Sequence, residues 1–386
     1  MNAPLAERDQ FWPQAGLLGA SYRVMFPFVA IWAIVGVSLW QWVDGPWQSI
    51  QHPVLWHVHE MLFGIGGAAL AGYLPTACSS STGRPPVAGW RVLVLLLLWI
   101  AARLAVASGH DFLALATAPL MFWWISVLLI WEERVGGNGV RPFFVLFTAV
   151  AGMISMVYVA GMRGMTEISS PAAAAFLFIV LLTVVGGKMV PSFLYRAVEW
   201  DGDTARKEAN WVGTANLIAL AGAGLVSGTL GDVVSGLALA TIAGIYVVRM
   251  AFWPLSYASK DPLLAMLVLG FSWMPIGFAL WAAVLLLPLD FDTAGVFHAL
   301  IMGSMSGLIM AVSARSSAIR TEKGLRARRG VFLAFSLVWI SVWLRVFGYL
   351  PQSALIWCFG WAIFLVAFLP ALRGQVPRPI FSGTRR

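Results

Sequence analysis

The chain has 386 residues, of which 60% are hydrophobic and 11% charged, and its formal net charge is +8. These proportions exclude an ordinary water-soluble domain, because so few charged side chains cannot cover its surface. The positive charge does not indicate a nucleic-acid partner either, since the Lys and Arg residues lie in short segments between apolar runs and form no basic face. We therefore expect an all-α polytopic membrane protein surrounded by a lipid bilayer.

Apolar runs long enough to cross a bilayer as helices recur along the whole chain. The sequence predicts a cytoplasmic N-terminal tail over 1–21, a single transmembrane domain over 22–373 and a cytoplasmic C-terminal tail over 374–386. We expect about twelve transmembrane helices. In chain order the predicted spans are Tyr22–Trp42, His57–Cys78, Gly89–Ala107, Asp111–Trp131, Arg141–Gly161, Pro171–Phe193, Ala209–Gly228, Asp232–Trp253, Pro262–Pro288, Gly295–Ala314, Gly330–Leu350 and Ser353–Arg373.

The positions of the cations indicate the orientation of these spans. One side of the predicted membrane collects most of them, including the cluster Arg320–Arg329 and the C-terminal arginines. On the opposite side, the loops near Asp44, Gly231 and Asp290 have no cations. Short cytoplasmic loops accumulate Lys and Arg, so both termini are predicted to be cytoplasmic.

Cysteine usage limits the kinds of metal site. Cys78 and Cys358 are far apart in the sequence, and neither has a second cysteine nearby. This pattern excludes a disulfide framework, and the chain lacks the C-x-x-C-H motif that attaches c-type haem. Any haem would be bound without a covalent link.

All five histidines are predicted in or beside the non-cytoplasmic ends of spans. They are His52, His57, His59, His110 and His298. His52 and His110 lie in loops and are equally typical of interfacial anchors. The other three lie where spans begin, and ionisable residues inside a membrane usually have a function.

The second span contains the run Trp56-His57-Val58-His59-Glu60-Met61. Residues two apart on an α-helix point about 200° apart, so His57 and His59 are expected to have different roles. His57 shares an α-helical face with Glu60 and Gly64, and Glu60 is expected to hydrogen-bond an imidazole or to hold a proton. The small residues that follow would allow close approach either of another helix or of a flat macrocycle.

A similar pattern recurs in the tenth span. His59 is followed five positions later by Gly64, and His298 is followed five positions later by Gly303. The two spans are predicted to have the same orientation, which indicates a possible internal parallel repeat. The repeat would make His59 and His298 pseudo-symmetric partners, with both glycines beside a bound macrocycle.

Two neutral imidazoles at one depth are suitable axial ligands for the iron of haem b. We therefore predict that His59 and His298 bind iron, and that Arg103 and Arg345 in the following spans pair with the haem propionates. For each arginine the alternative is a side chain that reaches to the lipid headgroups. Met302 lies on the same face as His298 and is either a further metal ligand or a packing residue.

The sixth span ends in Gly186-Gly187-Lys188-Met189-Val190-Pro191. Its paired glycines and its proline predict an interruption of the helix near its cytoplasmic end. The role of Lys188 stays open, since a cation here is also typical of an inside anchor.

At these residues the sequence resembles the NnrS family, which comprises haem- and copper-containing bacterial membrane proteins linked to nitric oxide metabolism and nitrosative stress. The resemblance covers nearly the whole chain and is most specific from Trp56 to Met61. The family usually has arginine at the position of Lys188. The remaining matching stretches are Gly64, Gly72, Thr76, Thr82-Gly83-Arg84-Pro85-Pro86, Gly89-Trp90, Gly186–Pro191, His298-Ala299, Gly303, Ala311-Val312 and Arg315.

The resemblance implies a haem protein of the bacterial inner membrane that lessens nitric oxide damage, with nitric oxide or a related small molecule as its ligand. It also implies copper. Once His59 and His298 are assigned to iron, only His57 and Glu60 remain as copper ligands inside a span.

Other functions remain open on the sequence alone. Twelve spans with a repeat and glycine-interrupted helices also suit a secondary transporter, although the ionisable residues crowd the outer edge rather than the midplane. A membrane oxidoreductase that takes electrons from quinol or another donor is a further possibility. The histidines on the second and tenth spans give a distant analogy to the haem-copper oxidases, which rests on architecture alone. No catalytic constellation is identified, so the sequence leaves open whether the protein is an enzyme.

Overall fold

Long apolar helices account for most of the chain. The structure is a computed structural model that describes residues 11–43, 53–137, 141–168, 170–200, 202, 213, 216–217, 219–222, 231–289, 292–322 and 324–382. The elements within those residues are β1 Phe11–Ala15, α1 Ser21–Trp42, α2 Pro53–Thr82, α3 Trp90–Ala107, α4 Asp111–Val135, α5 Pro142–Met162, α6 Pro171–Glu199, α7 Asp232–Ala251, α8 Pro262–Leu286, α9 Thr293–Ser317, β2 Ile319–Thr321, β3 Gly324–Arg326, α10 Val331–Val346, α11 Leu350–Leu372 and β4 Gln375–Pro377.

Ten of these helices are long and apolar enough to cross a membrane, and α10 is a shorter apolar helix. These eleven helices coincide with eleven of the predicted spans. The predicted seventh span, Ala209–Gly228, lies largely outside the described residues. The fold class predicted from the sequence, an all-α polytopic membrane protein, is confirmed.

The chain divides into two compact units. Unit 1 comprises Met1–Ala174 with Leu365–Thr384, and unit 2 comprises Ala175–Phe364 with Arg385–Arg386. The predicted single transmembrane domain over 22–373 stays a prediction.

The ends of the helices follow ordinary capping chemistry. In unit 1, α2 ends at Gly83, which has the left-handed backbone that favours glycine (φ 66°) and whose N–H donates to the Ser79 carbonyl over 3.0 Å. In unit 2, the side chain of Asp261 accepts a hydrogen bond from the Leu263 N–H at the start of α8, over 2.8 Å. Each cap satisfies a backbone group that the helix itself leaves without a partner.

Three of the described helices contain a π-helical turn, in which the backbone carries one extra residue. These turns cover Glu60–Gly66 in α2, Leu182–Gly186 in α6 and Ala299–Met305 in α9. In α6 the turn ends at Gly186, the first of the paired glycines, and the helix then continues from Gly187 with Pro191 inside it. The predicted interruption is therefore wrong as a break, because a wider turn accommodates the irregular segment without ending the helix.

The first and last described segments of unit 1 form one structure, which we name the terminal clasp: β1, β4 and the side chain of Arg23. The two strands are antiparallel, with Phe11 opposite Pro377. The Arg23 Nη1 donates to the carbonyls of Gly16 and Gly374 over 2.9 and 2.7 Å, and Nη2 donates to the Gln375 carbonyl over 2.8 Å. Parts of both predicted tails are thus held in place.

Two buried carboxylates at the end of α4 are also paired in unit 1. Glu132 lies 3.0 Å from Arg91 and 3.4 Å from Arg84, measured between nitrogen and oxygen. Glu133 lies 2.6 Å from the Arg141 side chain. These ion pairs join α4 to α3 and to the segments that lead into α3 and α5.

Candidate functional site

A chain of buried polar side chains connects three helices of unit 1. The Arg103 Nε of α3 lies 2.8 Å from the Glu60 Oε2 of α2. The other carboxylate oxygen, Oε1, lies 2.8 Å from the His59 Nδ1, and the His59 Nε2 lies 2.9 Å from the Ser155 Oγ of α5. His59 and Ser155 are fully buried, and Glu60 and Arg103 are 1% and 7% exposed.

The partners determine where the proton of the imidazole lies. Glu60 forms an ion pair with the Arg103 guanidinium, and a carboxylate in such a pair only accepts hydrogen bonds. The His59 Nδ1 therefore carries the proton and donates a hydrogen bond to Glu60. The second ring nitrogen, Nε2, is left with its lone pair and accepts a hydrogen bond from the Ser155 hydroxyl.

Glu60 hydrogen-bonds an imidazole, as the sequence predicted. An unbroken α-helix would place Glu60 on the face of His57, but the π-helical turn begins at Glu60 itself. The carboxylate instead bonds the adjacent residue, His59. His57 is half-buried and stacks on the indole of Trp40, with ring centroids 4.6 Å apart. The metal role predicted for His57 stays a prediction.

Gly64 is needed for packing in unit 1. A Cβ atom at this position would lie 2.7 Å from the Nε1 of Trp32 in α1, far inside ordinary contact distance. On the other side, Trp99 of α3 donates its indole N–H to the Gly64 carbonyl over 3.0 Å. Two indoles therefore use the space and the carbonyl that this glycine offers, and contact of Gly64 with a cofactor stays a prediction.

In unit 2 the predicted site residues surround His298 on α9. Its Nδ1 lies 2.6 Å from the Ala294 carbonyl. Because a carbonyl only accepts, Nδ1 again carries the proton and Nε2 has the lone pair. The π-helical turn Ala299–Met305 follows at once, and a Cβ at Gly303 would lie 2.4 Å from the Cγ of the fully buried Trp273.

Two other predicted residues of unit 2 have their own neighbours. Met302 packs against a buried apolar cluster that includes Trp273 and Val342, as expected of a packing residue. The Arg345 Nη2 lies 3.8 Å from the Oδ2 of Asp292, and the Asp292 side chain is 64% exposed. A pair at this distance with an exposed carboxylate contributes little to stability. The metal role of Met302 and the propionate role of Arg345 stay predictions.

The two units share a local arrangement. In each, a histidine whose Nδ1 donates to a fixed oxygen comes directly before a seven-residue π-helical turn. In each, the fifth residue after the histidine is a glycine packed against an indole. This similarity goes beyond the spacing seen in the sequence and supports a repeat. The pairing of His59 with His298 on one iron stays a prediction.

Among the described residues, no group of three or more His, Cys, Asp or Glu side chains could hold a metal ion. The donors expected for copper do not fit that role, because Glu60 is engaged by both His59 and Arg103. His110 is exposed at the start of α4, and His52 lies outside the described residues.

The family comparison covers almost the whole of this architecture. The family model described as NnrS protein matches residues 16–375. The chain belongs to the NnrS family. Membership of the NnrS family supports a membrane protein related to nitric oxide, and the resemblance found in the sequence is confirmed. No curated protein matches the chain.

Sequence reasoning missed Ser155 and the two indoles of Trp32 and Trp99. Ser155 is a hydroxyl residue in the middle of a mostly apolar span, and a polar group at that depth requires a partner. That signal was available in the sequence of this NnrS-family protein. The tryptophans gave no signal, because interfacial tryptophans are common in membrane proteins.

Proposed function

We propose that this NnrS-family protein binds haem b through histidine nitrogens and acts in nitric oxide metabolism, protecting a bacterial cell from nitrosative stress. The observation that carries the proposal is how the two histidine rings are hydrogen-bonded. His59 and His298 each donate from Nδ1 to a fixed oxygen, so Nε2 is the unprotonated nitrogen of both rings and the one that would bind a metal. Histidines that bind metals usually have their other nitrogen held in this way.

The residues present fit haem iron as nitrogen donors. His59 and His298 would each hold iron through Nε2. Bound haem would supply an iron centre that takes a diatomic ligand or an electron. The charge pattern of the loops supports a position towards the periplasmic face of the inner membrane.

Glu60 and Arg103 support His59 rather than the haem. A carboxylate that accepts the Nδ1 proton makes the imidazole a stronger donor at Nε2 and fixes the orientation of its ring. The guanidinium of Arg103, 2.8 Å away, balances the buried carboxylate. Arg345 remains the candidate for a propionate, because the carboxylate near it is exposed and distant. We propose no copper site, since Glu60 is engaged elsewhere.

Haem content measured on the purified protein tests the proposal. Haem should be found with the wild-type protein, and nitric oxide should shift its visible spectrum. His59→Ala and His298→Ala should each lose haem or change the position of its absorption bands. His110→Ala is the matched control, since this histidine is exposed at a helix start, and its spectrum should equal that of the wild type.

Three results would count against the proposal. A colourless wild-type protein that moves a substrate into vesicles would favour a secondary transporter. Unchanged spectra in both His59→Ala and His298→Ala would remove the ligand assignment. Reduction by quinol without any response to nitric oxide would favour a quinol-linked oxidoreductase. Metal analysis on the same samples tests for copper.

A further inference from the structure

The hydroxyl of Ser155 occupies the very nitrogen of His59 that would bind iron. The two atoms are 2.9 Å apart, and both side chains are fully buried. We propose that Ser155 is a positioning residue that holds the His59 Nε2 in the haem-free protein and competes with iron for it. The inference rests on the proposed function and adds a residue from α5 to the predicted site.

The competition follows from the proton positions. Nε2 of a neutral imidazole has one lone pair in the plane of the ring, so it accepts one proton donor or binds one metal. The other nitrogen cannot bind the metal instead, because Nδ1 carries the proton and donates a hydrogen bond to Glu60 over 2.8 Å. Ser155 must therefore release Nε2 before His59 can coordinate iron.

Ser155 has another acceptor ready. The Ala118 carbonyl of α4 lies 3.5 Å from the Ser155 Oγ. A serine hydroxyl in a helix can also donate to the carbonyl four residues earlier in its own helix. Rotation of the Ser155 side chain would thus keep its hydroxyl satisfied after it leaves His59. The exchange then costs at most about one neutral hydrogen bond.

That cost sets the size of the effect. A neutral hydrogen bond inside a protein corresponds to a factor of about two to ten in an equilibrium constant. Removing the Ser155 hydroxyl should therefore tighten haem binding by about two- to tenfold. A residue that contacted the haem favourably would have the opposite effect when removed.

Ser126 offers a matched control within unit 1. It is a buried serine on α4, and its Oγ lies 2.6 Å from the Thr148 hydroxyl and 3.2 Å from the Phe122 carbonyl. Neither partner is an imidazole. Ser126→Ala therefore removes a buried hydroxyl from the same unit without changing the hydrogen bonds of His59.

The experiment is a titration of haem-free full-length protein with haemin, followed by absorbance. We expect Ser155→Ala to bind haemin about two- to tenfold more tightly than wild type. Ser126→Ala should bind as wild type does. Ser155→Thr keeps a hydroxyl and should restore affinity towards the wild-type value, which also separates the effect from any loss of folding in the alanine variant.

The outcomes separate this inference from the proposed function. If wild type binds haemin and His59→Ala does not, but Ser155→Ala binds with equal or lower affinity, Ser155 is not a competitor and the inference is overturned. If His59→Ala binds haemin as well as wild type does, the ligand assignment of the proposed function has failed instead.

Discussion

Replacing Arg23 by alanine should loosen the terminal clasp and destabilise unit 1. The Arg23 side chain is 2% exposed and donates to three backbone carbonyls over 2.7 to 2.9 Å. Hydrogen bonds from a charged donor contribute about 1.5–3 kcal/mol each. The low end of that range for three bonds gives a loss of about 4–5 kcal/mol, which is large for one substitution.

Thermal unfolding in detergent micelles measures this loss, and limited proteolysis shows whether the C-terminal segment is released first. Arg23→Lys keeps the charge but not the planar fork of donors, so its stability should lie between that of the alanine variant and that of wild type. Arg84→Ala is the control, because that side chain is 40% exposed and its pair with Glu132 spans 3.4 Å. Arg84→Ala should lower the unfolding free energy by less than about 1 kcal/mol. Equal unfolding and equal digestion of the Arg23→Ala and Arg84→Ala variants would refute the reasoning.

Three further substitutions test packing, a buried hydroxyl pair and a buried carboxylate. Gly303→Ala should cost about 1–3 kcal/mol in unfolding free energy, because the new Cβ would lie 2.4 Å from a fully buried indole carbon. Gly244→Ala on α7, where no atom lies within 4 Å, should be neutral or stabilising, and a matching loss there would contradict the packing argument. Tyr246→Phe removes a hydroxyl 2.5 Å from that of Thr183 and should lower unfolding free energy by about 1 kcal/mol, whereas an unchanged value would show that this pair adds nothing. Asp261 lies just before α8, and burial raises its pKa. The folded state therefore favours the protonated carboxyl. The stability that this group adds is fully present below the unfolded pKa and is lost as pH rises through the folded pKa. The wild type should gain more in unfolding temperature than Asp261→Asn when pH falls from neutral to about 4, and equal gains would remove Asp261 as the cause.

Hydropathy predicted the helices because the bilayer itself imposes their length and their apolar composition. The predicted second span, His57–Cys78, lies inside α2, which extends to Thr82. Gly83 marks the true end, and a glycine after a helical run is a signal that sequence reasoning can use. The five-residue spacing from His59 to Gly64 also equals the i→i+5 hydrogen-bond spacing of a π-helix, although the sequence suggested only an internal repeat.

The partners inside the predicted site could not be read from the sequence. Periodicity shows that α5 is apolar, but it does not show that Ser155 meets the imidazole of His59. An α-helical projection placed Glu60 on the face of His57, and it did not show which imidazole the carboxylate bonds. Arg103 was expected to pair with a propionate, and its contact with Glu60 depends on how α3 packs against α2. Tertiary contacts of this kind decide roles that local patterns leave open.

The terminal clasp also constrains how often the chain crosses the membrane. Because Phe11–Ala15 and Gln375–Pro377 are hydrogen-bonded neighbours, we expect the beginning of α1 and the end of α11 to lie on the same face of the bilayer. A chain that starts and finishes on one face must cross an even number of times. Twelve crossings satisfy this parity and eleven do not, so topology reporters fused to the two ends should give the same signal.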